Sequence, residues 1–324
     1  MNEPIDLKYS ILIPAYKSVF LSDCLDSCLD QKRDDYEILI LDDASPEHLD
    51  DIVRVYDDHR IRYIRNSENI GAIHLVDNWN TGLRLCRGRY IICMGDDDML
   101  SERCLELYDS LIGKYPDCDV YHMRTQIIDD EGAPVITLEE RPEQESAYAF
   151  LYNEMKGGRE QFIGDFLFHR DRLIENGGFS RLPLGWFSDR LTVIKQAYRG
   201  GIANCNEIGF KYRRSEKSIS GSRLTYESAF LKVRAWGLVE SWLDKFLNKG
   251  PEDETDTEYY RYIKNNYREF IKYKKREEIR CELQCCPQDQ MKWFYVRKRF
   301  GLNAGDVLLP ERIYRIVNNT TEKN

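Results

Sequence analysis

Residues 90–98 have the sequence YIICMGDDD, in which a short apolar run passes through one glycine into three aspartates. The apolar run predicts a strand that is buried on both faces, as in a parallel sheet. Three adjacent carboxylates repel one another, and hard cations such as Mg²⁺ and Mn²⁺ prefer carboxylate and phosphate oxygens. The triplet therefore predicts a divalent metal site, with Asp96 and Asp98 as ligands. The alternative is an N-cap for the helical pattern that follows Ser101, which one aspartate would satisfy.

Strand and helix patterns alternate on both sides of this stretch. Strand patterns cover residues 9–14, 37–41, 61–64 and 119–123, and helical patterns cover residues 20–31, 73–86 and 101–115. The alternation predicts an α/β fold with a Rossmann-like, mixed but mainly parallel sheet flanked by helices. Ligands of such sheets bind beyond the carboxyl ends of the strands. Residues 130–160 are rich in Glu, Gly and Pro and predict a loop or lid.

The C-terminal part of the chain has a different pattern. A helical pattern with one apolar face covers residues 223–247, an acidic linker follows at 250–258, and a second helical pattern begins at Tyr259. We therefore expect one domain over residues 1–222 and a helical C-terminal extension over 223–324. The segment MKWFYVRKRF at 291–300 mixes aromatic and basic residues. It predicts either peripheral membrane contact or a docking helix with a solvated basic face.

Charge is distributed unevenly along the chain. The net charge is −9, and residues 259–324 contain 15 Lys/Arg against 8 Asp/Glu, so the remainder carries −16. An acidic main domain argues against nucleic-acid binding. The first residues show no signal-peptide pattern, and no apolar run approaches the ~20 residues of a membrane-spanning helix. We therefore expect a cytoplasmic protein with reduced cysteines, peripheral on the inner membrane face if the basic segment binds lipid.

Five segments of the chain resemble the inverting family-2 glycosyltransferases of the GT-A fold. They are YSILIPAYK (9–17), ILILDDAS (38–45), NSENIGAIHLVDNWNTGLRLCRGRYIICMGDDDML (66–100), LIENGGF (173–179) and GWFSDRLTVIKQAYRGG (185–201). Their order and spacing are similar to those of the family over about residues 8–215. The resemblance implies a GT-A fold with a nucleotide-sugar half at 1–125 and an acceptor half at 126–222.

The resemblance also implies which residues bind the nucleotide. Pro14 and Tyr16 match the family's Pro-x-Tyr beside the nucleotide, where Tyr16 either stacks on the base or is an ordinary half-buried tyrosine. Asp43 matches the aspartate that contacts the base. A carboxylate there can accept the ring N–H of uracil or, alternatively, cap a helix near Glu47. Gly71 allows close backbone approach or is a plain turn glycine. The remaining implied residues are Asn69, Asp96 and Asp97.

The acceptor-side residues follow from the same resemblance. Asp189 matches the catalytic base, which removes the proton of the acceptor hydroxyl, and its alternative role is to cap the helical pattern at 190–199. Trp186 and Asp165 are candidates for acceptor binding. A basic, hydroxyl-rich loop either closes over the diphosphate or is a solvated charged loop. Its residues are Arg213, Arg214, Ser218 and Ser220.

Two positions depart from the family pattern. Gly95 stands where the commoner Asp-x-Asp-Asp has its first aspartate, and Ser188 stands where glutamate usually precedes the base. The resemblance implies metal-dependent, inverting transfer of a hexosyl or hexosaminyl group from a UDP-sugar to a hydroxyl of a glycan or lipid-linked glycan in cell-surface polysaccharide synthesis. A non-catalytic sugar-binding relative and a nucleotidyltransferase are the alternatives. A dinucleotide-dependent oxidoreductase is excluded, because residues 14–17 lack its glycine-rich turn.

Overall fold

The computed structural model describes residues 7–157, 159–215 and 225–308. The chain forms two compact units, and neither unit is one continuous stretch of sequence. The first unit consists of Met1–Arg181 and Ser188–Gly221, and the second consists of Leu182–Phe187 and Ser222–Asn324. The sequence led us to expect a boundary at residue 222. It did not indicate that the six residues Leu182–Phe187 belong with the C-terminal helices.

A mixed, mainly parallel sheet organises the first unit, as the sequence predicts. Its strands are β1 (Tyr9–Ala15), β2 (Tyr36–Asp42), β3 (Ile61–Arg65), β4 (Tyr90–Cys93), β5 (Met99–Leu100), β6 (Val120–Ile128), β7 (Pro134–Thr137), β8 (Gln144–Glu145), β9 (Phe166–His169) and β10 (Ile202–Arg213). The order is β3-β2-β1-β4-β9-β6-β10-β5, with β7 beside β6 and β8 beside β10. The pairs β1–β2, β1–β4, β2–β3 and β6–β10 are parallel, and β9 runs antiparallel between β4 and β6.

Helices flank the sheet and share its core. They are α1 (Leu21–Leu29), α2 (Leu49–Val53), α3 (Leu75–Leu85), α4 (Cys104–Lys114), α5 (Ala147–Lys156), α6 (Arg170–Glu175) and α7 (Ser188–Gly200). Every residue of β2 and β4 is buried, which is why these strands are apolar almost throughout. Apolar residues of β1, β2, α1 and α4 form the main buried cluster. This packing fixes the carboxyl ends of β1, β2 and β4 next to one another.

The prediction of a loop or lid over residues 130–160 is wrong for much of that segment. It contains β7, β8 and α5. Helix α5 begins after Ser146, whose hydroxyl accepts the backbone N–H of Ala149 (3.0 Å), as N-cap serines do. The five residues Ala147–Leu151 are buried. The surrounding Glu and Pro residues dominate the composition of the segment 130–160. For this reason the sequence did not predict the short apolar face of α5.

Helices form the second unit. They are α8 (Tyr226–Phe246), α9 (Thr257–Cys285), α10 (Gln290–Val296) and α11 (Ala304–Val307). Helix α8 begins with a capping box in which Thr225 and Ser228 each accept the other's backbone N–H. Residues of all four helices contribute to one buried apolar cluster, including Val233, Ile279 and Val307. Within the described ranges, no helix has both the length and the apolar character to cross a bilayer.

The segment at 291–300 packs inside the second unit through its aromatic residues. Trp293 is fully buried, and its indole N–H donates to Glu282 (2.8 Å). The ring of Trp293 lies 5.0 Å from that of Tyr226 on α8. Trp293 therefore packs as the docking-helix alternative predicts. Membrane contact stays a prediction, and it would have to use the exposed residues Tyr295, Lys298 and Arg299.

Candidate active site

Polar residues after β1, β2 and β4 meet at one edge of the sheet. Asp96, after β4, accepts the backbone N–H groups of Tyr16 (2.6 Å) and Lys17 (2.8 Å). Ser45, after β2, donates its hydroxyl to the carbonyl of Tyr16 (2.6 Å). The ends of β2 and β4 thus hold the turn after β1, and Pro14 is the second-last residue of β1. The side chain of Tyr16 is 40% exposed, so a flat ligand can reach it.

The other two aspartates of the triplet differ in burial. Asp98 is buried, and its oxygens accept the backbone N–H groups of Arg213 (3.1 Å) and Gly95 (3.3 Å). Burial first, and then the charge of Asp97, hold the pKa of Asp98 well above its ordinary value. Burial likewise raises the pKa of Asp97, and it raises the pKa of Asp96 to about 6. Burial therefore disfavours the ionised form of the three carboxylates, and a bound cation would favour the ionised form again.

Gly95 leaves room for the folded-back carboxylates. A Cβ atom at this position would lie 2.7 Å from Asp97 Oδ1 and 3.0 Å from Asp98 Oδ2. Both distances are shorter than van der Waals contact, so a side chain there would push the two carboxylates aside. The departure from the family's aspartate therefore has a local steric reason.

The triplet fits a metal that is shared with a phosphate ligand better than a metal held by protein alone. In the described parts of the chain, the three-residue groups whose ligand atoms all lie within 4.8 Å are His48, Asp50 and Asp51, and Glu282, Cys286 and Asp289. The aspartate triplet is not among them. Mg²⁺ at phosphate sites commonly uses one or two carboxylates and completes its shell with phosphate oxygens and water. The predicted pair Asp96 and Asp98 stays a prediction, and Asp97 is more accessible than Asp98.

Asp43 holds the segment that precedes α3. One oxygen accepts hydrogen bonds from the Asn66 side chain (3.0 Å) and the Ile70 N–H (2.8 Å). The other accepts the Asn69 side chain (2.9 Å) and the Gly71 N–H (3.0 Å). A carboxylate has about four acceptor sites, so Asp43 uses all of them within the protein. Asp43, Asn69 and Gly71 lie together as expected, but Asp43 caps no helix.

Asp42 has a separate role that the sequence did not reveal. It is fully buried, and it accepts the backbone N–H of Ser45 (2.7 Å) and the side chains of Tyr63 and Arg65. It therefore ties β2 to β3. The available signal was the two-residue spacing of Tyr63 and Arg65, which places both side chains on one face of β3.

Arg213 does not lie in an open loop, so the expectation that it closes over a diphosphate is wrong. Its side chain is fully buried. The guanidinium donates to the carbonyls of Asp97 (2.9 Å), Asp129 (2.9 Å) and Asp130 (2.8 Å), and to the carboxylate of Asp23 (3.1 Å). Because these N–H donors are bonded to other protein groups, Arg213 stabilises the backbone of the aspartate triplet from its buried side.

The rest of the basic loop is only partly described. Arg214 has a half-exposed side chain that pairs with Glu160 (2.8 Å). Its contact with a diphosphate stays a prediction. Ser218 and Ser220 lie outside the described residues.

Asp189 lies in the first turn of α7, after a strained turn. Leu184 and Phe187 have φ values of +59° and +68°, and such non-glycine residues cluster at functional sites. One oxygen of Asp189 accepts the backbone N–H of Arg190 (2.7 Å), and the other accepts its guanidinium (3.0 Å). The same guanidinium donates to Glu154 on α5 (3.2 Å). Asp189 is therefore held beside a cation while 14% of its side chain stays exposed.

Asp165 is fully buried just before β9. One of its oxygens accepts the Thr125 hydroxyl (2.9 Å) and the Phe162 N–H (3.0 Å). The other has no hydrogen-bond partner within the described residues. Burial raises the pKa of Asp165 to about 7, although Arg141 lowers it, and the charge of Asp189 adds to the rise. Its predicted contact with the acceptor stays a prediction.

Trp186 belongs to the second unit. It is half-buried, and Lys232 lies 3.8 Å above its ring, in the geometry of a cation–π contact. The ring face that meets Lys232 is not available to a sugar, and the predicted acceptor contact would have to use the other face.

Comparison with known proteins bears on this site. The family model for Glycosyl transferase family 2 matches residues 10–170. Chondroitin synthase of Escherichia coli is 38% identical over 105 residues, which cover 30% of this chain and 14% of that protein. Poly(ribitol-phosphate) beta-glucosyltransferase of Bacillus spizizenii is 30% identical over 139 residues, which cover 40% of this chain and 20% of that protein. The matched segments therefore span a minor part of these relatives.

Solved structures share the fold. The crystal structure of S. aureus TarS 1-349 in complex with UDP-GlcNAc matches with a TM-score of 0.56 and 17% identity, covering 71% of this chain and 66% of that one. The complex of the same TarS segment with UDP matches with a TM-score of 0.53 and 17% identity, covering 71% and 65%. At this identity the likeness concerns the fold alone, and it confirms the expected GT-A fold.

Proposed function

Because the chain belongs to glycosyl transferase family 2, we propose that it is an inverting glycosyltransferase that moves a hexosyl or hexosaminyl group from a UDP-sugar to a glycan hydroxyl. The observation that carries the proposal is the bond from one carboxylate of the aspartate triplet to the turn after β1, where Asp96 accepts the N–H groups of Tyr16 and Lys17. This contact joins the acidic end of β4 to the turn that the resemblance assigns to the nucleotide. Ligands of open α/β sheets bind at such an edge.

The names of the relatives support the donor and the acceptor classes. TarS is described in complex with UDP-GlcNAc and with UDP, which supports a UDP-sugar donor. A chondroitin synthase and a poly(ribitol-phosphate) beta-glucosyltransferase are among the relatives. They support a glycan or lipid-linked glycan acceptor, and a place in cell-surface polysaccharide synthesis.

The nucleotide lies against the edge formed after β1, β2 and β4. Tyr16, with its exposed ring, stacks on the base. Asp43 fixes the side-chain amide of Asn69 and the backbone N–H of Gly71 through its bonds to both groups. For Asp43 also to accept the ring N–H of uracil, that N–H must share an oxygen with bonds that the protein already makes. Asp43 is therefore first a positioning residue and second a contact for the base.

Asp96, together with Asp98 or Asp97, would hold a divalent cation, Mn²⁺ or Mg²⁺. When bound, it stabilises the negative charge that grows on the leaving diphosphate. Asp98 is the less accessible of the two candidate partners, because its oxygens already accept the backbone N–H groups of Gly95 and Arg213.

Asp189 is the general base of the proposed reaction. It takes the proton of the acceptor hydroxyl while the acceptor oxygen forms a bond to the anomeric carbon. The bond from that carbon to the diphosphate oxygen breaks on the opposite side, so the anomeric configuration inverts and UDP leaves with the bonding electrons. Arg190 holds both oxygens of Asp189 and keeps the carboxylate in one orientation before the acceptor binds.

A donor screen tests the proposed function. Thermal stabilisation of the purified chain is measured with UDP-, GDP-, CDP- and dTDP-sugars, each with Mn²⁺ and with EDTA. A donor that binds the folded state must raise its apparent stability, and we expect the largest rise for a UDP-sugar with Mn²⁺. Release of UDP in the presence of glycan acceptors then tests transfer. No stabilisation by any nucleotide sugar would contradict the proposal, and binding without transfer would favour a non-catalytic relative.

A further inference from the structure

A second polar cavity lies within the first unit. It has a volume of about 220 Å³ and is lined by β6 residues, by the segment after β7 and by residues 159–160. This volume is below the roughly 300–1,000 Å³ of sites for drug-sized ligands, so it suits one sugar unit or one small anion. Its inner residues are His122, Thr125, Arg141 and Arg159, and its rim includes Glu139, Glu140 and Glu160.

The positive charge of this cavity is concentrated on Arg141. Its side chain is only 5% exposed. Nη2 donates to the neutral oxygen of Gln161 (3.0 Å), and Nη1 has no hydrogen-bond partner in the described residues. The carboxylate of Glu145 is 3.9 Å from Nη1 and is already bonded to Arg159 (2.6 Å). The buried carboxylate of Asp165 also attracts this guanidinium, so the group left without a partner is the Nη1–H donor. A buried donor without an acceptor is costly, and an anion in the cavity would supply that acceptor.

A second unsatisfied group faces the same space. His122 is 4% exposed, and its Nδ1 lacks a hydrogen-bond partner among the described residues. On the rim, Glu140 pairs with Arg124 (3.0 Å) and Glu160 pairs with Arg214 (2.8 Å), while the carboxylate of Glu139 also lines the cavity. Buried polar groups without partners are uncommon in folded proteins and are usually satisfied by water, an ion or a ligand.

We infer that this cavity binds an oxyanion, a carboxylate or a phosphate, carried by the acceptor. The Arg141 guanidinium donates Nη1–H to the anion, and the side chain of His122 lines the same cavity. The identification of the anion's carrier rests on the proposed function, whereas the anion site itself does not. The acceptor is therefore an acidic glycan, and its charged group is recognised apart from the nucleotide edge.

A continuous chain of side-chain contacts joins the cavity to Asp189. Arg141 donates to Gln161, and Gln161 donates to Glu154 (2.9 Å). Glu154 accepts from Arg190 (3.2 Å), which holds Asp189 (3.0 Å). An anion that orients Arg141 thus acts on the residues that orient the candidate base. Binding of the acidic group at the cavity would place the rest of the acceptor within the same part of the first unit.

Calorimetric titration with three probes tests the inference. Glucuronate, inorganic phosphate and glucose are titrated into the full chain with UDP and Mn²⁺ present, so that phosphate does not report on the nucleotide edge. We expect glucuronate or phosphate to bind at least tenfold more tightly than glucose. Tighter glucuronate binding assigns a uronic-acid acceptor, and tighter phosphate binding assigns a phosphate-bearing one. If neither glucuronate nor phosphate binds more tightly than glucose, the inference is overturned.

Matched variants locate the site. Arg141→Gln should weaken the binding of the preferred anion at least tenfold. Arg54→Gln, which changes an exposed arginine just after α2, should leave it unchanged. Equal losses in both variants, or none in Arg141→Gln, contradict the assignment. If Arg141→Gln does not fold, Arg159→Gln carries the same test. Failure of sugar transfer with intact anion binding would contradict the proposed function but not this anion site. Sugar transfer without anion binding would contradict this anion site but not the proposed function.

Discussion

Two regions of the first unit hold their carboxylates in different ways. At the nucleotide edge, Asp43, Asp96 and Asp98 accept backbone N–H groups. On the acceptor side, Asp189 and Glu145 are paired with the guanidinium groups of arginines, and Asp189 also accepts the backbone N–H of its own neighbour Arg190. Backbone donors from another loop are fixed by the strands and turns that carry them, so a carboxylate bound to them shapes that loop. An arginine side chain can rotate away. We therefore expect changes at the nucleotide edge to affect the fold and binding together, and a change of Asp189 to affect chemistry alone.

The largest expected effect is that of Asp189→Asn. The amide keeps the size of the carboxylate but cannot take a proton at neutral pH, and loss of a general base typically lowers the rate ~10²–10⁴-fold. Sugar transfer should fall by that factor, and calorimetric affinity for UDP with Mn²⁺ should stay the same, because a group that acts in the transition state does not weaken ground-state binding. Full transfer by the variant would refute the assignment of the base.

The aspartate triplet gives the next largest effect. Asp97→Asn and Asp98→Asn are compared by titration of UDP with Mn²⁺ and with EDTA. The variant that removes a metal ligand should lose about 10–100-fold in Mn²⁺-dependent affinity, in line with the roughly 1.5–3 kcal/mol of an interaction with a charged group. Asp98→Asn should also lower the melting temperature, because its amide N–H₂ would face a backbone N–H. Unchanged Mn²⁺ dependence in both variants would remove Asp97 and Asp98 from the metal site.

Asp43→Ala tests the loop-holding role directly. Removing the carboxylate leaves four donors of the segment 66–71 without their acceptor, and we expect a loss of about 1.5–3 kcal/mol in the free energy of unfolding. If the base also contacts Asp43, the variant should lose any preference for UDP over CDP. Glu68→Ala, an exposed residue of the same segment, is the control and should change neither quantity. Wild-type stability in Asp43→Ala would show that the observed bonds contribute little.

A pH dependence is the effect expected from Asp165. Its pKa is raised from 3.8 to about 7 by burial, so between about pH 4 and pH 7 the unfolded chain ionises this group while the folded chain does not. Linkage therefore makes Asp165 lower the stability progressively as pH rises through that window, with no further change above it. Asp165→Asn should flatten the melting temperature between pH 4 and pH 7 relative to wild type. Identical profiles for the two proteins would contradict the raised pKa.

The sequence predicted those features that depend on pattern along the chain. Strand β4 and the aspartates after it were visible because a buried parallel strand is apolar throughout and ends abruptly. The partners of Asp43 were not, since four donors from residues 66–71 converge only once β2 and β3 are paired. Arg213 looked like a surface arginine for the same reason, as its carbonyl acceptors lie far away in sequence. Asp189 as a base came from resemblance and not from any local pattern.

The acceptor side was the least predictable part of the first unit. Arg141 and Gln161 are separated by 20 residues, and nothing in their neighbours indicates that they meet. Helix α5, which supplies Glu154, was hidden by polar flanking residues. A buried charged network is specified by tertiary packing, so periodicity cannot reveal it.

The six-residue segment Leu182–Phe187 has a consequence for synthesis of the chain. Phe187 packs 4.8 Å from Trp236 on α8, a residue that leaves the ribosome well after it. Translation adds about 5–20 residues per second, so Trp236 is synthesised on the order of several seconds after Phe187. During that time the apolar segment is exposed and can bind chaperones. Ending translation near residue 222 would make that wait permanent. A shortened gene product would therefore be a target for degradation, however complete its sheet.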